Sequence, residues 1–312
     1  MQSGKSILYS VVIPVFNSDN IVTKTVLKVQ EFFTQNNLNY EIILVNDGSS
    51  DGSWGVISSL AHEYESVVAI NLLKNYGQHN ANLCGFRESK GDYIITMDDD
   101  LQNPPEEISK LIQSVGSDYD LVIGRFKSKK HSFIRRLGSK LVGALNRKVF
   151  NVEAGLILTN FRIIRRDVID RVCNDSSPLP YIPGLVLKYS GKRRNVLVQH
   201  KERTVGESNY NWKKILKLVA VILFNHSTIP LRLSALLGFI VARSSLLLSF
   251  YYLIQAVLFG TQVAGWASVV IMMSFLNGVI ILLVSVIGEY LVRLLHEVGS
   301  NSSYDVSDII RK

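Results

Sequence analysis

The feature that most constrains this chain is a long block without charge in its C-terminal third. Residues 244–288 contain no Asp, Glu, Lys or Arg, although charged residues make up 19% of the whole sequence. The block is too long for one membrane span, and residues 260–265 (GTQVAG) supply a turn near its middle. We therefore predict two apolar helices, at about residues 231–259 and 265–295. As a helix, residues 265–288 alone would be about 36 Å long, which is enough to cross a bilayer.

Positive charges flank this block only at its outer ends. Arg232 and Arg293 lie there, and the turn between the two helices is uncharged. Since cytosolic loops are enriched in Lys and Arg, we expect an integral protein of the inner or plasma membrane with both termini in the cytosol. Arg243 would lie about 26 Å from the turn, at the level of the cytosolic headgroups. It is expected either to contact a lipid phosphate or to extend its side chain into the headgroup region.

A basic and apolar segment precedes the block. Residues 212–225 read WKKILKLVAVILFN, with three lysines inside a strongly apolar run. This composition is typical of a helix that lies in the membrane interface, and the alternative is a helix buried in a protein core. We therefore expect an interface helix at residues 211–229 and contact with membrane lipids.

The first two thirds of the chain read as an α/β domain. Apolar, β-branched strands are predicted at residues 9–16, 40–45, 67–72 and 92–97, and segments with helical spacing separate them. This alternation predicts a mostly parallel sheet that is covered by helices on both faces. Polar side chains follow three of the strands: Asn17, Asp47 and the triplet Asp98-Asp99-Asp100. Because ligands of such sheets bind beyond the carboxyl ends of the strands, we expect these clusters to form one site.

The acidic triplet carries the strongest chemical signal. Three adjacent carboxylates repel one another, and a hard divalent cation such as Mg²⁺ or Mn²⁺ relieves this repulsion. Asp98 and Asp100 are the predicted metal ligands, and Gln102 is expected to supply a further oxygen. The cation would bridge to a diphosphate and neutralise the charge that develops on it as it leaves. The alternative is a solvated acidic loop that caps the following helix.

Further polar residues are candidates for binding a nucleotide. Asp47, in NDGSSDGS, is suited either to accept hydrogen bonds from a base or ribose or to cap a turn. Lys74 and Gln78 lie beyond the third strand and are expected to reach the base or the diphosphate. Arg203 and Ser208, in RTVGESNY, are expected to close over the diphosphate.

The net charge of +8 is concentrated in basic stretches. Between Leu121 and Val152 there are nine Lys or Arg and no acidic residue. Aromatic residues are not interleaved with them as in an RNA-binding sheet, so we predict phosphate and lipid partners and no nucleic acid. Because Arg binds phosphate through two parallel hydrogen bonds, Arg125 and then the pair Arg135–Arg136 are the candidates for holding an anionic acceptor.

Other cofactor sites are not indicated by the sequence. It contains neither G-x-G-x-x-G nor a P-loop, and no Cys/His cluster has the spacing of a zinc site. The two cysteines, Cys84 and Cys173, are far apart, which favours two buried thiols in a reducing compartment.

Seven segments occur together in a recognisable order: VVIPVFN, VNDGSSDGS, LLKNYGQHNA, MDDDLQNPPEE, NFRIIRRDV, RTVGESNY and GEYLVRLLHE. The set resembles the polyisoprenyl-phosphate glycosyltransferases of family 2, which include dolichyl-phosphate mannose synthase and bacterial undecaprenyl-phosphate sugar transferases. The resemblance covers nearly the whole chain and implies a GT-A fold, inverting transfer and a divalent metal. It divides the chain into a GT-A domain at residues 1–210, an interface helix at 211–229, two transmembrane helices within 230–296 and a cytosolic tail at 297–312.

The resemblance also implies roles for single residues. It assigns metal and diphosphate binding to Asp98, Asp100 and Gln102, and lipid-phosphate binding to Arg125 and the Arg135–Arg136 pair. Together with the candidates above, the expected nucleotide-sugar contacts are Pro14, Phe16, Asn17, Asp47, Lys74, Gln78, Asp99, Arg203 and Ser208.

The sequence departs from the family pattern at four positions. Ser18, Asn46 and Asn209 stand where the family often has Glu, Asp and Lys. Asn160 stands where bacterial members often have the Asp of Gly-Asp-Phe-Arg, which is proposed to be the catalytic base. Asn cannot act as a base, but the second pKa of a phosphate monoester is about 6, so the acceptor is already mostly ionised at neutral pH. We therefore predict catalysis without a dedicated protein base.

The predicted reaction is inverting transfer of a sugar from a UDP-sugar to undecaprenyl phosphate at the cytosolic face of the membrane, with Asp98, Asp100 and Arg125 as the main catalytic residues. Two alternatives are a processive polysaccharide synthase and a catalytically silent membrane scaffold. Paired membrane helices also favour a homo-oligomer.

Overall fold

The computed structural model describes residues 6–116, 118–126, 142–145, 147–150, 153, 155–175, 180–200, 219, 222, 227, 229–260, 265–298 and 303–312. The chain divides into two units. Residues 1–216 and 301–312 belong to the first unit, and residues 217–300 belong to the second.

Strands and helices alternate through the first unit. In chain order the described elements are β1 (Leu8–Val15), α1 (Val22–Gln35), β2 (Asn39–Asn46), α2 (Ser53–Glu63), β3 (Val67–Leu72), α3 (Gln78–Glu88), β4 (Tyr93–Thr96), a 3-10 turn (Pro105–Glu107), α4 (Ile108–Val115), β5 (Leu121–Phe126), β6 (Arg162–Arg165), α5 (Arg166–Cys173), α6 (Ile182–Tyr189), β7 (Arg193–Val198) and β8 (Val306–Arg311). The first four strands coincide with the predicted ones to within two residues at each end.

The strands form one sheet in the order β7-β5-β6-β4-β1-β2-β3-β8. The neighbours β4-β1-β2-β3 are parallel, and so is the pair β5-β7. Strand β6 runs antiparallel to β4 and β5, and β8 runs antiparallel to β3. The prediction of an α/β domain with a mostly parallel sheet is confirmed.

The core is densest around the central strand β1. Val11, Val12 and Ile13 are fully buried, so both faces of this strand are covered. A strand of this kind reads as a continuous apolar run in the sequence instead of an alternating one. On one face it packs against α1, which buries Val26 and Phe33, residues on the same side of that helix. This packing fixes the carboxyl ends of β1, β2 and β4 at one edge.

Strand β8 lies in the segment that the sequence analysis assigns to a tail at residues 297–312. Its residues pair with the outer edge of β3, with Ile309 opposite Ile70 and Ile310 opposite Ala69. The segment VSDIIR gives only a weak local strand signal, because its stability depends on a partner strand more than 230 residues earlier in the chain.

The second unit contains α7 (Ile229–Phe259) and α8 (Trp266–Val298). Within them, Leu236–Phe259 and Val269–Val292 are each 24 residues long and strongly apolar, so both are long enough to cross a membrane. The two helices approach closely at Gly238, where a Cβ atom would lie 2.9 Å from Cγ2 of Ile281. Small residues permit such contacts between apolar helices. Of the predicted interface helix at 211–229, most residues lie outside the described part of the chain.

Candidate functional site

The predicted polar clusters lie together at the carboxyl edge of the sheet. Asn17 follows β1, Asp47 follows β2, and Asp98 follows β4. Hydrogen bonds between Asn17 and the loop after β2, and between Ser18 and Asp99, connect the loops that carry these residues. The parallel arrangement of β1, β2 and β4 is the reason that residues so distant in the sequence meet here.

Asn17 joins the end of β1 to the loop after β2. Its N–H donates to Oγ of Ser49 at 3.0 Å, and its Oδ1 accepts from the N–H of Ser50 at 2.9 Å. Its φ of 52° lies in the left-handed region, which Asn adopts more readily than most residues. Beside it, the ring of Phe16 is 49% exposed and Pro14 is half-buried, so both remain predicted contacts for a nucleotide.

Asp47 is 4% exposed and holds the loop that precedes α3. Its Oδ1 accepts from the N–H of Tyr76 at 2.7 Å, and its Oδ2 accepts from the N–H of Gly77 at 3.0 Å. Burial raises the pKa of this carboxyl group, and the two backbone donors oppose that effect. A carboxylate has about four acceptor positions, so these bonds leave capacity for a base or ribose. Lys74, in the same loop, is exposed, and its Nζ lies 5.3 Å from the centre of the Tyr76 ring.

Asp98 accepts two hydrogen bonds from neutral amides. Both Nε2 of Gln78 and Nδ2 of Asn160 donate to its Oδ1 at 2.7 Å. Burial raises the pKa of Asp98; the bond from Asn160 opposes this shift, and the negative charge of Asp100 adds to it. Gln78 therefore lies at the triplet, where its amide contacts the first carboxylate.

Asp99 points back to the loop after β1. Its side chain forms a hydrogen bond with Ser18, and its carbonyl oxygen accepts from Oγ1 of Thr25 at 2.7 Å. Burial raises the pKa of Asp99 to about 6. Ser18, which stands where the family often has Glu, thus forms a hydrogen bond that stabilises the carboxylate of Asp99.

Asp100 begins a tight turn. Its Oδ1 accepts from the N–H of Gln102 at 3.1 Å, and Leu101 between them has a φ of 56°. A branched residue rarely adopts this left-handed conformation, at a cost of about 1–2 kcal/mol. Such strain is common at functional sites, where the surrounding contacts enforce it.

The triplet has the chemistry that a hard divalent cation requires. Among the residues that the structure describes, no three His, Cys, Asp or Glu side chains converge to enclose a metal ion. A cation held by Asp98 and Asp100 would complete its coordination with oxygens from a phosphate ligand and water, as Mg²⁺ commonly does. Burial and the nearby charge of Asp100 both raise the pKa of Asp98, and a bound cation would oppose both effects by favouring the ionised form.

Arg162, which is not among the site residues predicted from the sequence, lies beneath this cluster. Arg162 is 2% exposed, and its Nε donates to Oγ1 of Thr96 at 3.2 Å. Its Nη2 donates to Oδ1 of Asn160 at 3.4 Å, and Nδ2 of Asn82 donates to the same oxygen at 3.4 Å. Burial lowers the pKa of Arg162 to about 10, so the side chain stays cationic at neutral pH. The signal that points to it is an Arg at the start of an apolar strand, where it is buried together with Ile163 and Ile164.

Arg125 lies near the end of β5, at the same carboxyl edge of the sheet as Asp98 and Asn160. In the register, Arg162 of β6 is opposite both Thr96 of β4 and Ile123 of β5, and Asp98 and Arg125 each follow two positions after these partners. Strands β4 and β5 are separated by β6, and two strand spacings correspond to about 10 Å. Arg125 is exposed, so its guanidinium is accessible to a ligand at this edge.

Asn46, a further departure from the family pattern, lies behind the site. It is 3% exposed, and its Nδ2 donates to Oδ1 of Asn71 on β3 at 2.7 Å. This amide pair joins neighbouring strands, so Asn46 serves the sheet. Several predicted contacts cannot be placed here: Arg135, Arg136, Arg203, Ser208 and Asn209 lie outside the described residues. Arg243 is exposed on α7, in the second unit.

Comparison with known proteins agrees with this arrangement. Residues 10–173 match the model of the family described as glycosyl transferase family 2. A protein of Proteus mirabilis named undecaprenyl-phosphate 4-deoxy-4-formamido-L-arabinose transferase is 32% identical, over 96% of this chain and 93% of its own length. The protein of the same name from Aeromonas hydrophila is 33% identical, over 97% of this chain and 94% of its own length.

Solved structures show the same fold at low sequence identity. Mannosyl-3-phosphoglycerate synthase from Rubrobacter xylanophilus has a TM-score of 0.51 at 14% identity, covering 70% of this chain and 72% of its own. Glucosyl-3-phosphoglycerate synthase from Mycobacterium tuberculosis, in complex with phosphoglyceric acid, has a TM-score of 0.50 at 15% identity, covering 70% and 80%. These neighbours share the GT-A fold, so that prediction is confirmed. The chain belongs to glycosyl transferase family 2.

Proposed function

We propose that this glycosyltransferase moves a sugar from a UDP-sugar to undecaprenyl phosphate, with inversion at the anomeric carbon. The observation that carries the proposal is that the Asp98–Asn160 pair and Arg125 lie at the same carboxyl edge of the sheet. The acidic triplet after β4 suits a cation with its diphosphate, and β5, two strand spacings or about 10 Å away, carries an exposed Arg. A lipid phosphate held by Arg125 would face a donor sugar placed between Arg125 and the triplet.

The names of the relatives support this acceptor. Curated proteins that align with nearly the whole chain are named as undecaprenyl-phosphate transferases. Their sugar, 4-deoxy-4-formamido-L-arabinose, is therefore the first donor group to test.

In the proposed reaction, an oxygen of the lipid phosphate attacks the anomeric carbon. A new bond forms between that carbon and the phosphate oxygen, while the bond to the nucleoside diphosphate breaks and the leaving oxygen keeps the electron pair. The acceptor needs no base, because its second ionisation, with a pKa of about 6, is mostly complete at neutral pH. A divalent cation bound by Asp98 and Asp100 would neutralise the leaving diphosphate. The chain itself contributes positioning and charge matching.

We also infer that the first unit and both chain ends lie on the cytosolic side of the membrane. Two spans return the chain to the side from which it entered, and β8 belongs to the same sheet as β1. Arg232 at the start of α7 and Arg293 near the end of α8 add positive charge on that side.

The test is a transfer assay on the full-length protein with undecaprenyl phosphate and a panel of radiolabelled nucleotide-sugars. Label in a lipid that mild acid hydrolyses supports the proposal, label in a polymer indicates a polysaccharide synthase, and no label with any donor indicates a scaffold.

Asp100→Ala should abolish transfer without changing membrane insertion. Glu31→Ala is the matched control, because Glu31 is exposed on α1, where its Oε1 accepts from Nε2 of Gln35 at 3.1 Å. Transfer at the wild-type rate by Asp100→Ala in Mg²⁺ or Mn²⁺ buffer would refute the cation assignment.

A further inference from the structure

The strand after the membrane helices is anchored to the catalytic domain at several points. Tyr304, just before β8, is 6% exposed, and Nη1 of Arg87 on α3 donates to its hydroxyl at 3.2 Å. At the other end of the strand, Arg311 forms an ion pair with Glu88. Main-chain pairing with β3 lies between these contacts. Residues 304–311 are therefore an ordered part of this domain.

The same strand reaches the loop formed by residues 73–77, between β3 and α3. The carbonyl oxygen of Asp305 accepts from the N–H of Leu73 at 3.0 Å. Its side-chain Oδ2 accepts from the hydroxyl of Tyr76 at 2.8 Å. Asp305 thus holds this loop at two points, through its main chain and through its side chain.

From the opposite side, the loop is held by the segment after β2. Asp47 accepts from the N–H groups of Tyr76 and Gly77. Gly48 lies so close that a Cβ atom on it would be 2.4 Å from the backbone N of Asn75. Tyr76 therefore links the two sides, since its main chain binds Asp47 and its side chain binds Asp305.

The loop leads directly into the acidic cluster. Gln78, the first residue of α3, follows Gly77 and donates to Asp98 at 2.7 Å. A displacement of residues 73–77 would consequently disturb both the Asp47 contacts and the Gln78 contact with the triplet.

We propose that Asp305 is a positioning residue that holds residues 73–77 in the conformation that binds the nucleoside diphosphate of the donor. The C-terminal strand, which follows the membrane helices, thereby contributes to donor affinity. This inference rests on the proposed nucleotide-sugar donor. The Tyr76–Asp305 bond is made to a charged group, and only part of its stabilising effect would reach the ligand through the loop.

The test measures UDP affinity and the KM values of donor and lipid phosphate for the full-length protein and its variants. We expect Asp305→Ala and Tyr76→Phe each to weaken UDP binding and raise the donor KM by about three- to tenfold, with the lipid KM unchanged. The double variant should be no worse than either single one, because both remove the same bond. Asp305→Asn keeps an acceptor oxygen and should restore most of the affinity. Asp308→Ala is the matched control, since Asp308 lies on the same strand and accepts from Ser307.

Other results would refute either the positioning role of Asp305 or the proposed function. Unchanged donor affinity in both single variants, additive effects in the double variant, or an equal effect of Asp308→Ala would refute the positioning role. An undocked strand is detected by alkylation of Cys84, which is 1% exposed in the folded domain. If Asp305→Ala undocks it, Tyr76→Phe, which leaves β8 intact, decides the question. If the wild-type protein binds no nucleoside diphosphate, both the proposed function and the positioning role of Asp305 are refuted. If the wild-type protein binds UDP and the variants bind it equally well, only the positioning role of Asp305 is refuted.

Discussion

Nδ2 of Asn160 donates a hydrogen bond to Oδ1 of Asp98 over 2.7 Å. The orientation of this amide is fixed from behind, because its own Oδ1 accepts from Arg162 and Asn82. Asn160 therefore faces the triplet as a neutral donor. The residue that replaces a proposed catalytic base in this chain stabilises the first carboxylate of the cluster.

This geometry predicts that Asn160→Asp will not create a better enzyme. A carboxylate at position 160 would lie within hydrogen-bonding distance of Asp98, and like charges at that distance disfavour joint ionisation. We expect turnover at neutral pH to fall by about tenfold, measured with saturating donor and lipid phosphate. Asn160→Ala, which removes the donor without adding charge, should cause a smaller fall. A rise of orders of magnitude in Asn160→Asp would show that the reaction needs a protein base after all.

The site could be predicted from the sequence where it depends on parallel strands. Asn17, Asp47 and Asp98 each follow a buried apolar run, and the parallel topology forces the ends of those runs to one edge. The contacts of Asn160 could not be predicted in this way. They depend on β6 pairing antiparallel between β4 and β5, at a separation of more than 60 residues from Asp98. Strand β8 is a similar case, because it pairs with β3 although α7 and α8 lie between the two strands in the sequence.

Gly48 gives a separate test of the loop at residues 73–77. Its φ of +63° strains any other residue, and a Cβ atom would lie 2.4 Å from the backbone of both Lys74 and Asn75. We expect Gly48→Ala to displace the loop and to weaken UDP binding by at least about tenfold, measured by calorimetric titration. Gly55→Ala on α2 is the control, since nothing lies within 4 Å of its added Cβ. There the helix propensity of Ala should raise stability by up to about 1 kcal/mol and leave UDP affinity unchanged. Equal UDP affinity in the two variants would contradict the close approach at Gly48.

Arg125 is expected to act on the acceptor and not on the donor. Because hydrogen bonds to charged groups contribute about 1.5–3 kcal/mol, Arg125→Ala should raise the KM for lipid phosphate by about 10- to 100-fold, with little change in the donor KM. Arg125→Lys keeps the charge but loses the planar fork, so an intermediate value is expected. Arg194→Ala is the matched control: Arg194 is an exposed Arg of the adjacent strand β7, and its partner Val122 lies three positions before Arg125 on β5. An increase in the donor KM alone would place Arg125 at the nucleotide instead.

The docking of β8 can be followed through the thiol of Cys84. Burial raises the pKa of this thiol to about 12, and a hydrogen bond with Tyr304 partly opposes the shift. Since only the thiolate reacts and Cys84 is 1% exposed, its alkylation should be slow at pH 8 and should become faster as the pH rises. Tyr304→Ala removes the side chain that covers Cys84, so we expect its alkylation to accelerate by at least about tenfold in a mass-spectrometric time course.

Cys173 supplies the control within the same molecule. Burial raises its thiol pKa to about 11, and its pKa is influenced by Arg87, Arg166 and Asp170 with no contribution from Tyr304. Its rate should therefore stay the same in Tyr304→Ala while that of Cys84 increases. Equal acceleration of both thiols would indicate loosening of the whole domain, and an unchanged Cys84 rate would mean that Tyr304 does not cover Cys84 in solution. Only a selective effect on Cys84 is consistent with a C-terminal strand that docks as a unit.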